Sequence, residues 1–124
     1  MAITFTYEVK GKILHVKTEG YDENLKDVLS YSARVVRTAI KHRTPHVFCD
    51  ERDLEYRISD MESYLSAEKA AQSIPAAHRV AILCRPNQYE EAVFWELVAS
   101  NRFMNVKIFT DEEGAWSWVK GEPK

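Results

Sequence analysis

Ile3, Phe5, Tyr7 and Val9 alternate with Thr4, Thr6 and Glu8, the period of a strand with one buried face. Lys10-Gly11 interrupts the alternation, and Leu14 and Val16 resume it with His15 and Lys17 on the other side. Glycine supplies the positive φ of a tight reversal, so Ala2 to Thr18 predicts a β-hairpin. Gly20-Tyr21-Asp22 breaks the pattern. From there Leu25, Val28, Leu29, Ser32, Val36, Ala39 and Ile40 recur at helical spacing, which predicts one long helix with Asp22 as its N-cap. Lys41, His42 and Arg43 suit the negative end of its dipole, and Pro45 stops it.

Val47-Phe48-Cys49 predicts a short strand over His46 to Asp50, followed by a charged and exposed loop from Glu51 to Arg57. Ser59 and Glu62 stand three apart, the spacing of a capping box. They open a second helix that runs to Ile74 before Pro75. Arg79 to Cys84 is a continuous apolar run, as in a central strand covered on both faces. Asn87 with Glu90, and Thr110 with Glu113, repeat the capping-box spacing. They predict a third helix through Asn101 and a short last one after a strand at Val106 to Phe109. The order is β-β-α-β-α-β-α-β-α: an α/β fold with an N-terminal hairpin and a mixed, mainly parallel sheet of about five strands with about four helices.

The 124 residues make one domain, expected to span residues 1–120 with a frayed tail at 121–124. Lys and Arg number 17 against 19 Asp and Glu, interleaved along the chain. That is a solvated surface rather than the one-sided basic face a nucleic-acid binder needs. No apolar run approaches a membrane span, and no basic segment leads into an apolar one at the start. A cytoplasmic protein is expected, its two cysteines reduced and no cofactor implied.

The charged turn Cys49-Asp50-Glu51-Arg52-Asp53-Leu54 carries a resemblance, with Arg79-Val80-Ala81-Ile82, Ala99-Ser100-Asn101-Arg102, Asn105 to Glu113 and Ala115-Trp116-Ser117-Trp118-Val119. In these segments and in element order the chain resembles the SpoIIAA-like branch of the STAS and CRAL-TRIO-like folds. The better-known relatives, the anti-sigma factor antagonists, bind a protein kinase and are switched by phosphorylation of a serine at the start of the second helix. The matching stretch is Asp60-Met61-Glu62-Ser63. Glu62 stands where that serine would be and no glycine follows, so the resemblance implies a chain without the serine switch.

Several residues could carry chemistry. Asp50, Glu51 and Asp53 lie where parallel sheets gather ligands, beyond the carboxyl end of a strand. As metal ligands or an acid/base pair they would have to converge; the simpler reading is a solvated turn. Cys49 and Cys84 belong to no Cys-x-x-Cys motif and read as buried, inert thiols. His15, His42, His46 and His78 show no i, i+4 pairing, so no metal site is expected. The third helix carries Ala92, Phe94, Trp95, Leu97, Val98 and Ala99 over an arc wider than one sheet face covers, and Trp116 and Trp118 diverge on the last helix. Trp95, Trp116 and Trp118 are therefore candidate contacts for a homodimer or another partner.

The expected function is a non-enzymatic binding or regulatory module of SpoIIAA-like type that acts through a protein contact. Its candidate binding residues are Asp50, Glu51, Asp53, Tyr56, Ser59, Asp60, Glu62 and Ser63. The alternative is a carrier of a small apolar or lipid-like ligand, as in CRAL-TRIO domains, in a cleft walled by the second and third helices. A small hydrolase or metal enzyme ranks third. An apolar cavity with few polar groups favours the carrier, and convergent carboxylates and histidines favour the enzyme.

Overall fold

The computed structural model describes residues 2–122. Strands β1 (Ile3–Lys10), β2 (Ile13–Tyr21), β3 (His46–Glu55), β4 (Val80–Leu83) and β5 (Val106–Phe109) form one sheet in the order β1-β2-β3-β4-β5. The first pair is antiparallel and the rest are parallel. Helices α1 (Leu25–His42), α2 (Asp60–Ser73) and α3 (Tyr89–Ser100) cover one face, and α4 (Glu112–Val119) packs on the other against β3, β4 and β5. The α/β reading and the mixed, mainly parallel sheet both hold. No helix among the described residues is long and apolar enough to cross a membrane.

Two glycines make the hairpin. Gly11 turns it at φ +62. Gly20 has φ +110, and a Cβ there would lie 1.9 Å from the Ala2 carbonyl oxygen; only glycine fits so close to the neighbouring strand. The larger core lies under the three helices, with Leu14, Val16, Val47, Val80 and Ile82 as its floor. The smaller core sets Phe48, Ala81 and Leu83 against Ala115 and Val119.

Four sequence expectations are corrected at element ends. Asp22 is not the cap of α1: Asn24 is, accepting from Asp27 N–H at 2.9 Å. The buried Asp22 carboxylate instead accepts from the backbone N–H groups of Arg57 and Ile58, tying the end of β2 to the chain beyond β3. Asn87 does not cap α3; Pro86–Gln88 forms a 3-10 turn, with proline pre-set for a first helical position, and α3 follows without a side-chain cap. Thr110 yields to its neighbour Asp111, which accepts from Gly114 N–H at 2.7 Å and caps α4. The Ser59/Glu62 box is present in both directions.

The fourth correction matters most for function. The segment Glu51 to Glu55 is strand, not exposed loop. Its partner β2 continues to Tyr21, so Asp53, Leu54 and Glu55 pair with Glu19, Gly20 and Tyr21. Between Lys17↔Asp50 and Glu19↔Asp53 the register slips, two residues advancing on β2 against three on β3. This is a β-bulge. It inverts the alternation of β3, so Glu51 and Leu54, three apart, both face the helices while Asp50 faces α4. At the C-terminus, Gly121 and Glu122 donate N–H bonds to the Trp118 and Ser117 carbonyls. The rest of the expected frayed tail, 123–124, lies outside the described residues.

Candidate functional site

Helices α1, α2 and α3 enclose a cavity of about 850 Å³ above the sheet. Val28, Val35 and Val36 of α1 form one wall and Ser63, Ser66 and Ala70 of α2 the other, above Val47, Cys49 and Ile82. The cleft expected between the second and third helices is lined by both, with Ala92, Phe94 and Trp95 of α3 contributing, and α1 adds a facing wall. Helices α2 and α3 pack directly together, with Trp95 Nε1 donating to Ser66 Oγ at 3.2 Å. That contact covers the Trp95 side of the apolar arc of α3 and leaves Leu97 exposed.

A polar chain is set into this apolar space. Thr18 Oγ1 lies 2.8 Å from Tyr31 Oη. Tyr31 Oη donates to Glu51 Oε2 at 2.8 Å, and Tyr56 Oη donates to Glu51 Oε1 at 2.6 Å. Only 7% of Glu51 is exposed. Burial pushes its carboxyl above the usual range, and the two phenol hydrogen bonds only partly offset this. Burial beside that carboxyl also holds both phenols well above the ordinary tyrosine value. The cluster is a buried hydrogen-bonding station in a mostly apolar wall.

The thiols supply no nucleophile. Burial raises Cys49 far above the ordinary thiol and pushes Cys84 up to about 11, so neither holds appreciable thiolate near neutral pH. Ile82 pairs with Cys49 and Leu83 with Asp50, so Cys84 stands level with Glu51, diagonal to Cys49. Strand spacing and rise put such diagonal Cα atoms about 8 Å apart, beyond disulfide reach.

The candidate residues divide. Glu51, Tyr56, Asp60 and Ser63 line the groove. Ser59 and Glu62 cap α2 at its edge. Asp50 does not join them: it faces the other way, almost fully buried, and takes Nε and Nη2 of Arg52 at 2.9 and 2.7 Å. Burial alone would raise its pKa, but this guanidinium holds it below the ordinary value. Arg52 also reaches Glu112 at 3.1 Å. Asp53 is exposed. The acidic triplet thus does not converge, and no group of three or more His, Cys, Asp or Glu among the described residues is placed to hold a metal.

The tryptophans are half-buried with partners in their own chain. Trp116 lies 4.4 Å from Phe48 and 4.9 Å from His15, ring centroid to ring centroid, with Lys10 and Lys120 against its ring. Trp118 packs on Phe109. The most exposed large apolar side chains are instead Phe103, Ile40, Met61 and Leu97. Sequence reasoning missed Tyr31, Thr18 and Asp22. Thr18 had a signal, since it continues the buried period of Leu14 and Val16. Tyr31 sat beside the apolar stripe without belonging to it.

The described residues have a SpoIIAA-like α/β fold with a cleft between its helices and sheet. Two solved structures share the fold over nearly the whole chain. An anti-sigma factor antagonist from Mycobacterium paratuberculosis superposes with a TM-score of 0.66 at 10% identity, covering 95% of this chain and 94% of that one. An uncharacterized DUF3478-family protein with a SpoIIAA-like fold, from Shewanella loihica PV-4, gives 0.53 at 19% identity with the same coverage. No protein-family model matches the sequence, and no curated protein matches it.

Proposed function

We propose that this chain is a non-enzymatic cytoplasmic binding module that holds a small amphipathic molecule between α1 and α2. One observation carries the reading: a carboxyl capped by two tyrosines lies buried in a mostly apolar cavity of about 850 Å³. That volume lies in the range of small-molecule sites, which are mostly apolar with a few placed polar groups that fix orientation. The apolar part of the ligand lies along the α1 and α2 walls. Its polar end, a hydroxyl or carboxyl able to hydrogen-bond to this cluster, meets Glu51 and the tyrosines.

Native mass spectrometry of the purified chain tests this. A co-purified organic ligand at one per chain is expected, lost in Ser63→Trp, which fills the groove wall. An empty cavity that also binds no medium-chain alcohol or fatty acid by calorimetry would refute it. A second reading, a regulatory module acting through a protein contact, draws support from the anti-sigma factor antagonist that shares the fold. Since Glu62 caps two helices here, such a contact would work without phosphorylation at that position.

A further inference from the structure

The outer flank of α1, beside the sheet edge, carries features that the groove does not use. Arg34, Arg37, Thr38 and Lys41 follow one another at i, i+3, i+4 and i+7, one face of the helix. With Phe5 of β1 they line a recess of about 240 Å³ that no carboxylate enters. Among the described residues the ion pairs are Arg52 with Asp50 and Glu112, Arg57 with Glu55, and Arg102 with Glu68. None of the three flank cations has an acidic partner, in a chain whose net charge is -2. The Arg34 guanidinium lies over the Phe5 ring at 5.3 Å, and its Nη2 donates to the Ile3 carbonyl at 3.0 Å. Its Nε is buried without any partner.

The neighbouring backbone is unpaired as well. β1 is an edge strand. Tyr21 N–H donates to the Ala2 carbonyl, and antiparallel ladders alternate, so the even residues of β1 point their N–H and C=O groups at β2. Those of Phe5, Tyr7 and Val9 point outward. The Ile3 carbonyl points the same way and is the one Arg34 reaches. Tyr7 and Val9 are among the exposed large apolar side chains, at 42% and 45%.

We propose that β1 and the basic flank of α1 form a docking surface for an extended acidic segment of another protein, which adds a sixth strand to the sheet. The backbone of Phe5, Tyr7 and Val9 would supply the ladder bonds. Alternate side chains of the added strand, about 7 Å apart, would face successive turns of α1, about 5.4 Å apart. Carboxylates at i and i+2 would therefore meet Arg34, Arg37 and Lys41. A second copy of this chain is a poor occupant. Two-fold pairing of β1 strands would set one basic α1 flank beside the other, and like charges so placed repel. This surface is separate from the groove and does not depend on its contents.

The test is a titration of the isotope-labelled full chain with an alternating Val-Glu peptide of eight residues, read by amide shifts and hydrogen exchange. Binding with new protection at Phe5, Tyr7 and Val9 is expected, weakening as salt rises. The double variant Arg37→Glu/Lys41→Glu should bind about tenfold or more weakly with its spectrum otherwise unchanged. The same peptide N-methylated on its β1-facing residues should not bind. Three results would overturn the proposal: no binding of the acidic peptide, equal binding of the N-methylated form, or equal competition by free glutamate. The last two would mark a diffuse anion-attracting patch. Dimerisation through β1 in the absence of peptide would overturn it too.

Discussion

Glu62 Oε2 accepts a hydrogen bond from the backbone N–H of Leu25, 3.0 Å away and 37 residues earlier in the chain. Its other oxygen closes the capping box with Ser59 N–H at 3.1 Å. One carboxylate therefore satisfies free donors at the N-termini of α1 and α2 together, where the helix dipoles favour negative charge. These amides hold the Glu62 carboxyl below its ordinary range. The pin sits where the two walls of the groove begin.

Ser59→Ala removes one cap and should cost about 0.5–2 kcal/mol, the usual price of an N-cap. Glu62→Ala removes bonds to two helices and should lower the thermal midpoint further than Ser59→Ala. Glu62→Gln should recover part of the loss through its amide oxygen. Equal midpoints for Ser59→Ala and Glu62→Ala would show that the link to Leu25 contributes nothing.

Glu51 sets a pH dependence of unusual sign for a carboxylate. Its folded pKa lies above the ordinary 4.5. Between the two values the folded state keeps a proton that the unfolded state has released. The contribution is thus fully present below about pH 4.5 and is lost as pH rises through the folded pKa. Asp22, raised by burial from 3.8, acts in the same direction, and Asp50, held low by Arg52, acts in the opposite one. Glu51→Gln should flatten the decline in urea midpoint above pH 4.5 while leaving the share due to Asp22. An unchanged pH profile in that variant would contradict the assignment.

Phe48 is fully buried between His15 and Trp116 on the α4 face. Phe48→Ala should destabilise the protein by about 3–5 kcal/mol. It should also change tryptophan emission, because the Trp116 ring loses its packing partner. A smaller loss with unaltered emission would mean that α4 closes over the gap.

Cys49 and Cys84 are both buried and should resist a thiol reagent in the folded protein, both reacting on unfolding in urea. Fast native labelling of Cys49 alone would instead show that reagent enters the groove it lines, and would give a direct assay for groove occupancy.

The element order was legible because periodicity and punctuation agree along most of the chain. The hairpin alternation, the Ser59/Glu62 box and the apolar run at Val80 to Leu83 each follow from local chemistry. The second half of β3 was not legible. Its residues are charged, and the bulge breaks the period of two that marks a strand. The way α2 and α3 meet beside the groove was not legible for another reason. Ser66 in α2 looks like a surface residue until Trp95 is found bonded to it, and that contact joins α2 to α3. Side-chain partners separated by dozens of residues, such as Tyr31 with Glu51, leave no local trace in one sequence. Half of the candidate loop still reached the site, because Glu51 and Tyr56 are held there by each other.

The bulge in β3 has a consequence for reading other chains of this fold. Five positions separate Cys49 from Leu54, an odd count, yet both side chains share the helix-facing side of the sheet. A chain one residue shorter here would keep strict alternation, and with it the segment could slide along β2 without the notch that now locks it. The spacing is thus a readable marker. A sequence that keeps the odd interval and an acidic residue two beyond the cysteine position is expected to carry the buried carboxyl. One with an even interval is expected to have a regular strand and a drier, plainer cleft.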